Sequence, residues 1–273
     1  MEICRLCSGS DLIEIGIRQL LKRHSVRYFE CKRCGYRQAE KPWWLDEAYA
    51  NPINSCDTGV LQRTLACSRF TKALVILTGG QAEKKFLDFG GGYGIFVRHM
   101  RDCGLDFRWA DHYCRNLLAA GFDSGPEEQG FAIATCFEVM EHLEFPLLTM
   151  KNLLVRADAV FFSTELAPES LDDFWAWPYI GSEHGQHIGF MSSRTLRWMA
   201  CDLKVHLRTN GRNLHLFSKN RVSGWRWRLS TYQRTAQILN SLVRYDSRTM
   251  HDNARMRNAA SESNKQTLSD GGT

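Results

Sequence analysis

Lys84-Lys85-Phe86-Leu87-Asp88-Phe89-Gly90-Gly91-Gly92-Tyr93-Gly94-Ile95-Phe96-Val97-Arg98-His99-Met100 is the stretch on which the fold turns. Its first third reads as a short strand closed by a carboxylate, and its last third as the start of an amphipathic helix, with a helix stop at Gly104. A strand, a glycine turn and a helix in that order place a ligand at the carboxyl end of the strand. The dinucleotide pattern G-x-G-x-x-G fails, because Ile95 stands where its third glycine belongs. What fits is Asp88-x-Gly90-x-Gly92-x-Gly94. A carboxylate at the strand end suits a ligand with a cationic amino group better than a pyrophosphate. Glycines let the backbone approach that ligand closely.

A second acidic residue follows. Phe107-Arg108-Trp109-Ala110 is strand-like and ends at Asp111, 17 residues beyond Gly94, where a carboxylate can accept both hydroxyls of a ribose. Asp88–Gly94 together with Asp111 resembles the class I S-adenosylmethionine-dependent methyltransferases. The resemblance implies an α/β, Rossmann-like, seven-stranded sheet over residues 81–218. It implies S-adenosylmethionine held by Asp88, Gly90, Gly91, Gly92, Gly94 and Asp111, with His112 and Phe137 beside it. Two more strands are predicted, over Phe131–Phe137 and Ala157–Ser163. Val205, Leu207, Leu214 and Leu216 alternate about Asn210-Gly211, which predicts a late antiparallel hairpin.

Cys4-x-x-Cys7 and Cys31-x-x-Cys34 are separated by 23 residues. Two such turns can aim four sulfurs at one cation, and Gly35 after the second pair suits a turn that needs positive φ. A segment of about 40 residues has little core of its own, so a structural zinc ion would supply much of its folding free energy. The chain therefore divides into a zinc ribbon at 1–40, a helical linker or cap at 41–80, the methyltransferase domain at 81–218, and a basic tail at 219–273. An N-terminal CxxC…CxxC module ahead of this domain resembles bacterial methyltransferases of polysaccharide and deoxysugar pathways. In those, a zinc-binding module adjoins the substrate cleft. Pro42–Tyr49, Asp57-Thr58-Gly59 and Gly185–Phe190 resemble elements of the same proteins.

Methyl transfer is an in-line displacement in which alignment supplies much of the catalysis, but a hydroxyl acceptor must also lose its proton. Candidate groups follow the predicted strands: Glu138, Glu141 and His142 after one, and Glu183, His184 and His187 after the next. Two mechanisms are open. In one, His187 or His184 is a general base, with Glu138 nearby. In the other, Glu138, Glu141, His142 and His187 hold Mg²⁺ or Mn²⁺ that grips the acceptor. The second is similar to small-RNA 2′-O-methyltransferases and ubiquinone-pathway O-methyltransferases, although an E-x-x-E-H segment also caps helices with no metal. Phe174, Trp175, Trp177, Pro178 and Tyr179 form either a sugar-stacking wall or a packed loop.

The composition bounds the rest. The 273 residues are 44% hydrophobic and 24% charged, which is ordinary globular composition. No run is long and apolar enough for a membrane span, and Met1–Ile15 does not read as a secretory signal. The expected location is the cytoplasm, where the ten cysteines are thiols or metal ligands. Of the net charge of +5, residues 219–273 carry ten Lys/Arg against four Asp/Glu, so the body is close to neutral. Trp225-Arg226-Trp227-Arg228 opens that tail, and a Ser/Asn/Gly-rich segment predicted to be disordered ends it. Such a tail can be a solvated or docked helix, bind an anionic membrane surface, or bind nucleic acid. The expectation is an enzyme that methylates a hydroxyl of a saccharide or surface-polysaccharide precursor. The rivals are an RNA methyltransferase and a non-catalytic cofactor-binding protein. The sequence does not set the oligomeric state.

Overall fold

The computed structural model describes residues 2–50, 57–79 and 83–258. Cys56, Gly80 and the Ser/Asn/Gly-rich end from residue 259 lie outside the described residues. The chain begins with a meander of β1 (Leu12–Leu20), β2 (His24–Cys31) and β3 (Arg37–Ala39), each antiparallel to the next. Helix α1 (Leu45–Ala48) is a single turn, and α2 (Val60–Leu77) is the long helix of the linker.

The glycine stretch folds as its periodicity predicts: β4 (Lys85–Phe89), a glycine turn, and α3 (Ile95–Asp102), with Gly104 at φ 90 just beyond. Then come β5 (Asp106–Ala110), β6 (Ile133–Phe137), a 3₁₀ turn at Met140–His142, α4 (Pro146–Arg156) and β7 (Ala159–Ser163). After these lie α5 (Leu171–Ala176), a 3₁₀ turn at Pro178–Ile180, β8 (Gly189–Phe190) and α6 (Ser193–Asp202). The hairpin of β9 (His206–Thr209) and β10 (Leu214–Ser218) precedes α7 (Gly224–Thr231), α8 (Gln233–Leu242) and a helix at 249–258.

The main sheet has the order β5-β4-β6-β7-β10-β9. Its first four strands are parallel, and the hairpin runs antiparallel beside β7. Strand β7 is buried along its whole length, as a strand covered on both faces should be. Six strands are present among the described residues, not the expected seven. Between β5 and β6 the chain makes only an isolated bridge, Trp109 to Asp123, where a further strand would lie. Gly121, Gly125, Pro126 and Gly130 crowd that segment and leave no run of apolar or β-branched side chains to form one.

Strand β8 does not join this sheet. It pairs with β3, Arg37 opposite Phe190 and Gln38 opposite Gly189, and so completes a four-stranded N-terminal sheet. The N-terminal module thereby shares a core with the main domain: Cys4, Cys34 and Tyr36 pack in one cluster with Leu87, Met140 and Phe162. Phe174 is fully buried under this sheet, and Trp175 lies against the Gly16 bulge of β1.

The first part of the basic tail is docked. Helices α7 and α8 pack on α2, and Trp227 is buried edge-on to Phe161. Asp252, in the helix at 249–258, forms a fork with the buried Arg101 of α3 at 2.7 and 2.8 Å and also meets Arg98 at 2.9 Å. Removing Asp252 leaves the buried Arg101 with Asp106 as its remaining acidic partner, short of two charge-assisted bonds. Asp252→Ala is expected to lower unfolding free energy by about 3 kcal/mol in urea, and a loss within 1 kcal/mol would show the fork to be dispensable. No helix among the described residues is long and apolar enough to cross a membrane.

Candidate active site and metal centre

Asp88 ends β4 buried in the sheet, where Thr135 Oγ1 of the neighbouring β6 donates to it at 2.6 Å. Burial pushes its carboxyl up to about 7, against the pull of the Thr135 hydroxyl. Gly92 follows at φ 53 with open space where a Cβ would stand. Its N–H donates to Asp111 Oδ2 at 2.9 Å, and Asp111 Oδ1 accepts from the N–H groups of Tyr113 and Cys114 at 2.7 and 2.8 Å. The two acidic strand ends are thus tied through the glycine loop. Gly94 faces elsewhere. At φ 87, a Cβ there would meet Asn116 Oδ1 at 2.7 Å and the Ala119 nitrogen at 3.0 Å. It lets the 116–119 loop close on the start of α3.

Asp88, Gly90, Gly91, Gly92, Asp111, His112 and Phe137 line one cleft of about 1610 Å³, along with Glu138, His142, His184 and His187. Gly94 and Glu141 are not among its lining residues. The space exceeds the few hundred to about 1,000 Å³ usual for one ligand, so a cofactor and an acceptor fit together. Trp177 and Tyr179 also line it, stacked with ring centroids 4.9 Å apart, so this part of the aromatic cluster faces the cleft.

Beyond β6 the backbone is constrained. Glu138 sits at φ 54, a conformation that costs energy for a side chain with a Cβ. It is locked there by Ser163, whose hydroxyl donates to Glu138 Oε1 at 2.6 Å and accepts from the Glu138 N–H at 2.9 Å. Burial raises the Glu138 carboxyl above its usual range. Glu141 is buried, accepts from the Tyr179 hydroxyl at 2.7 Å on Oε1, and among the described residues has no hydrogen-bond partner on Oε2. Burial, then the nearby Glu138 charge, push its carboxyl up to about 8.

The histidines differ in which nitrogen is engaged. His187 Nδ1 bonds the Tyr179 carbonyl, which can only accept, so Nδ1 carries the proton. Burial pushes its imidazolium form well down, so the ring is neutral and Nε2 keeps its lone pair. His142 Nδ1 lies 3.2 Å from the Gln186 carbonyl and 3.0 Å from the Tyr49 hydroxyl, and burial lowers this ring to about 4. His184 is used the other way: its Nδ1 accepts from the Gln186 N–H at 3.1 Å. Ligand atoms of Glu141, His142 and His187 lie within 4.8 Å of one another. The structure does not bring Glu138 into that trio. Tyr49, Ser163 and Thr135 were not picked out as site residues from sequence, and no spacing ties them to the groups they touch.

In the N-terminal module, Cys4 and Cys34 sulfurs lie 3.6 Å apart, as do those of Cys7 and Cys31, and all four are within 4.8 Å. Four thiolates at about 2.3 Å around a tetrahedral zinc ion would stand about 3.8 Å apart, so the cluster fits a structural zinc site. Gly35 has φ 73, as the turn after the second pair requires. Four such groups cannot all ionise unaided: the Cys34 thiol is pushed up by its bond to Cys4 and by burial, and Cys7 is pushed up to about 11 by burial. A cation removes that conflict.

A family model described as a methyltransferase domain matches residues 61–203. No curated protein matches the chain. Solved structures with a related shape include TnmH, at 14% identity and a TM-score of 0.42, covering 64% of this chain and 61% of that one. Magnesium protoporphyrin IX methyltransferase from Synechocystis is 13% identical with a TM-score of 0.41, covering 65% of this chain and 95% of that one. The bifunctional kinase-methyltransferase WbdD is 19% identical with a TM-score of 0.40, covering 66% and 42%. The chain thus spans less than two thirds of TnmH and of WbdD.

Proposed function

This chain belongs to the methyltransferase domain family, and from that premise we propose that it is an S-adenosylmethionine-dependent enzyme that methylates a hydroxyl of a saccharide or surface-polysaccharide precursor in the cytoplasm. S-adenosylmethionine supplies a methyl carbon on a sulfonium, whose leaving group is neutral. Asp88 and the Gly90–Gly92 backbone would hold it at the end of β4, and Asp111 would take its ribose. His187 would accept the acceptor's hydroxyl proton on Nε2, which would free that oxygen to take the methyl group while the carbon–sulfur electron pair stayed with the neutral leaving group. The observation that carries this reading is the His187 Nδ1 bond to the Tyr179 carbonyl, which puts the ring proton on Nδ1 and the lone pair on Nε2 in a residue lining the cleft. His184 is the weaker base candidate, because its acceptor nitrogen is already engaged.

The stacked Trp177 and Tyr179 favour a sugar ring as acceptor, since an apolar sugar face packs on an aromatic surface. RNA is disfavoured by charge. Asp57, Asp111, Glu144 and Glu165 line the cleft against Arg63 and Arg212, and Arg63 is paired with Asp57. A phosphate-rich chain would meet net repulsion there. Labelled methyl groups from S-adenosylmethionine should appear in a cell-derived saccharide fraction as base-stable ethers. Label recovered in RNA, or in neither fraction, would overturn the assignment.

One observation favours a second mechanism on the same acceptor. Glu141 Oε2, buried and without a partner among the described residues, forms with His142 and His187 a donor set for a divalent ion that would orient the acceptor oxygen. Two imidazoles and one carboxylate suit Mn²⁺ better than Mg²⁺.

Cofactor binding should depend on pH through Asp88. A ligand with cationic groups favours the carboxylate, so protonation below about 7 opposes binding. The dissociation constant for S-adenosylmethionine is expected to rise about tenfold from pH 8 to pH 6. Calorimetry checks this, and the dependence should flatten in Asp88→Asn.

A further inference from the structure

Between the first pair of cysteines lies a side chain that reaches out of the module. Arg5 follows Cys4, and its backbone N–H donates to Gln38 Oε1 at 2.8 Å. One guanidinium nitrogen donates to the carbonyls of Ala39 at 2.7 Å and Glu40 at 3.0 Å, which follow β3 to its end. The other crosses to the main domain and donates to the Ile188 carbonyl at 2.7 Å. The Ala39 N–H also donates to that carbonyl, at 3.0 Å, and the Ile188 N–H donates to the Glu141 carbonyl at 2.9 Å. Ile188 is fully buried and follows His187 directly.

The His187 segment is therefore clamped on one side by the cysteine module and on the other by the turn that carries Glu141. A planar fork with fixed donor directions is suited to this, because one rigid group spans three carbonyls whose relative positions are thereby fixed. We propose that Arg5 is a positioning residue for His187, through which the cysteine module sets the geometry of the proton-accepting imidazole. The inference rests on the reading of His187 given above. It assigns the module a part in catalysis rather than in substrate capture. An ammonium in place of the fork keeps the charge but cannot reach the three carbonyls together.

Arg5→Ala and Arg5→Lys in the full chain test this. Both are expected to bind one equivalent of zinc and to keep S-adenosylmethionine affinity within a few-fold. Their kcat is expected to fall at least about tenfold, a barrier increase of about 1.4 kcal/mol, with Arg5→Lys no better than partly active. Amide exchange should accelerate at Ile188 while β1 and β2 stay protected. A kcat within twofold of the unchanged protein in either variant overturns the proposal. So does a loss of activity that comes only together with lost zinc and lost protection of β1 and β2, which marks a merely structural residue. If Arg5→Ala fails to fold, Arg5→Lys decides by the same readings. Failure of the His187 reading itself would show separately, as an active His187→Ala protein.

Discussion

His187→Ala is expected to lower kcat by roughly 10²- to 10⁴-fold, the range that a positioned proton acceptor supplies, while S-adenosylmethionine affinity stays within a few-fold. The two effects separate because the groups sit on different elements. Asp88 and the Gly90–Gly92 backbone lie at the end of β4, whereas His187 precedes β8 and is bonded to Tyr179 and clamped through Ile188. Alanine leaves the Tyr179 carbonyl without its donor but does not touch the β4 loop. Single-turnover rates with saturating cofactor measure the first quantity and calorimetry the second. Turnover close to that of the unchanged protein would falsify both the base and the metal-ligand roles of His187. Chelation distinguishes those roles: activity that survives exhaustive treatment, with zinc still in the cysteine site, leaves the base and removes the ion.

What was legible in the sequence was local. The Asp88–Gly94 turn and the Asn210-Gly211 hairpin depend on neighbours within a few residues, and the cysteine cluster joins two C-x-x-C turns that are each local; all three appear as read. The seventh strand that the resemblance implied is absent among the described residues, because the 121–130 segment holds too many turn residues to extend Asp123 beyond one bridge. The contacts that shape the acceptor side were not legible, because they span large separations. Tyr49 meets His142, Tyr179 meets Glu141, and β8 pairs with β3 across some 150 residues of chain. The three histidines of the cleft look alike in sequence, yet backbone partners make His184 Nδ1 an acceptor and His187 Nδ1 a donor, which leaves the lone pair of His187 on Nε2. The net charge of the tail likewise gave no hint that Asp252, one of its few acids, is the residue that anchors it to Arg101.

Loss of the metal from the cysteine site should be the other large effect. Cys34→Ser, or removal of zinc by a strong chelator, is expected to abolish turnover while cofactor binding survives in weakened form. Thiolate coordination contributes on the order of 10 kcal/mol to small zinc modules, as much as the whole stability of many domains. Without it, the buried thiols of Cys4, Cys7 and Cys31 have no cation, and β1, β2 and β3 lose the closure at their ends. The damage cannot stay inside the module, because β3 carries β8 and Arg5 carries Ile188. It reaches His187 before it reaches Asp88, which is held by the parallel pairing of β4 with β5 and β6. Zinc release measured with a colorimetric chelator should therefore run in parallel with loss of turnover and with amide exposure in β1–β3. Full activity in a zinc-free protein would show that the four cysteines hold the module together without an ion.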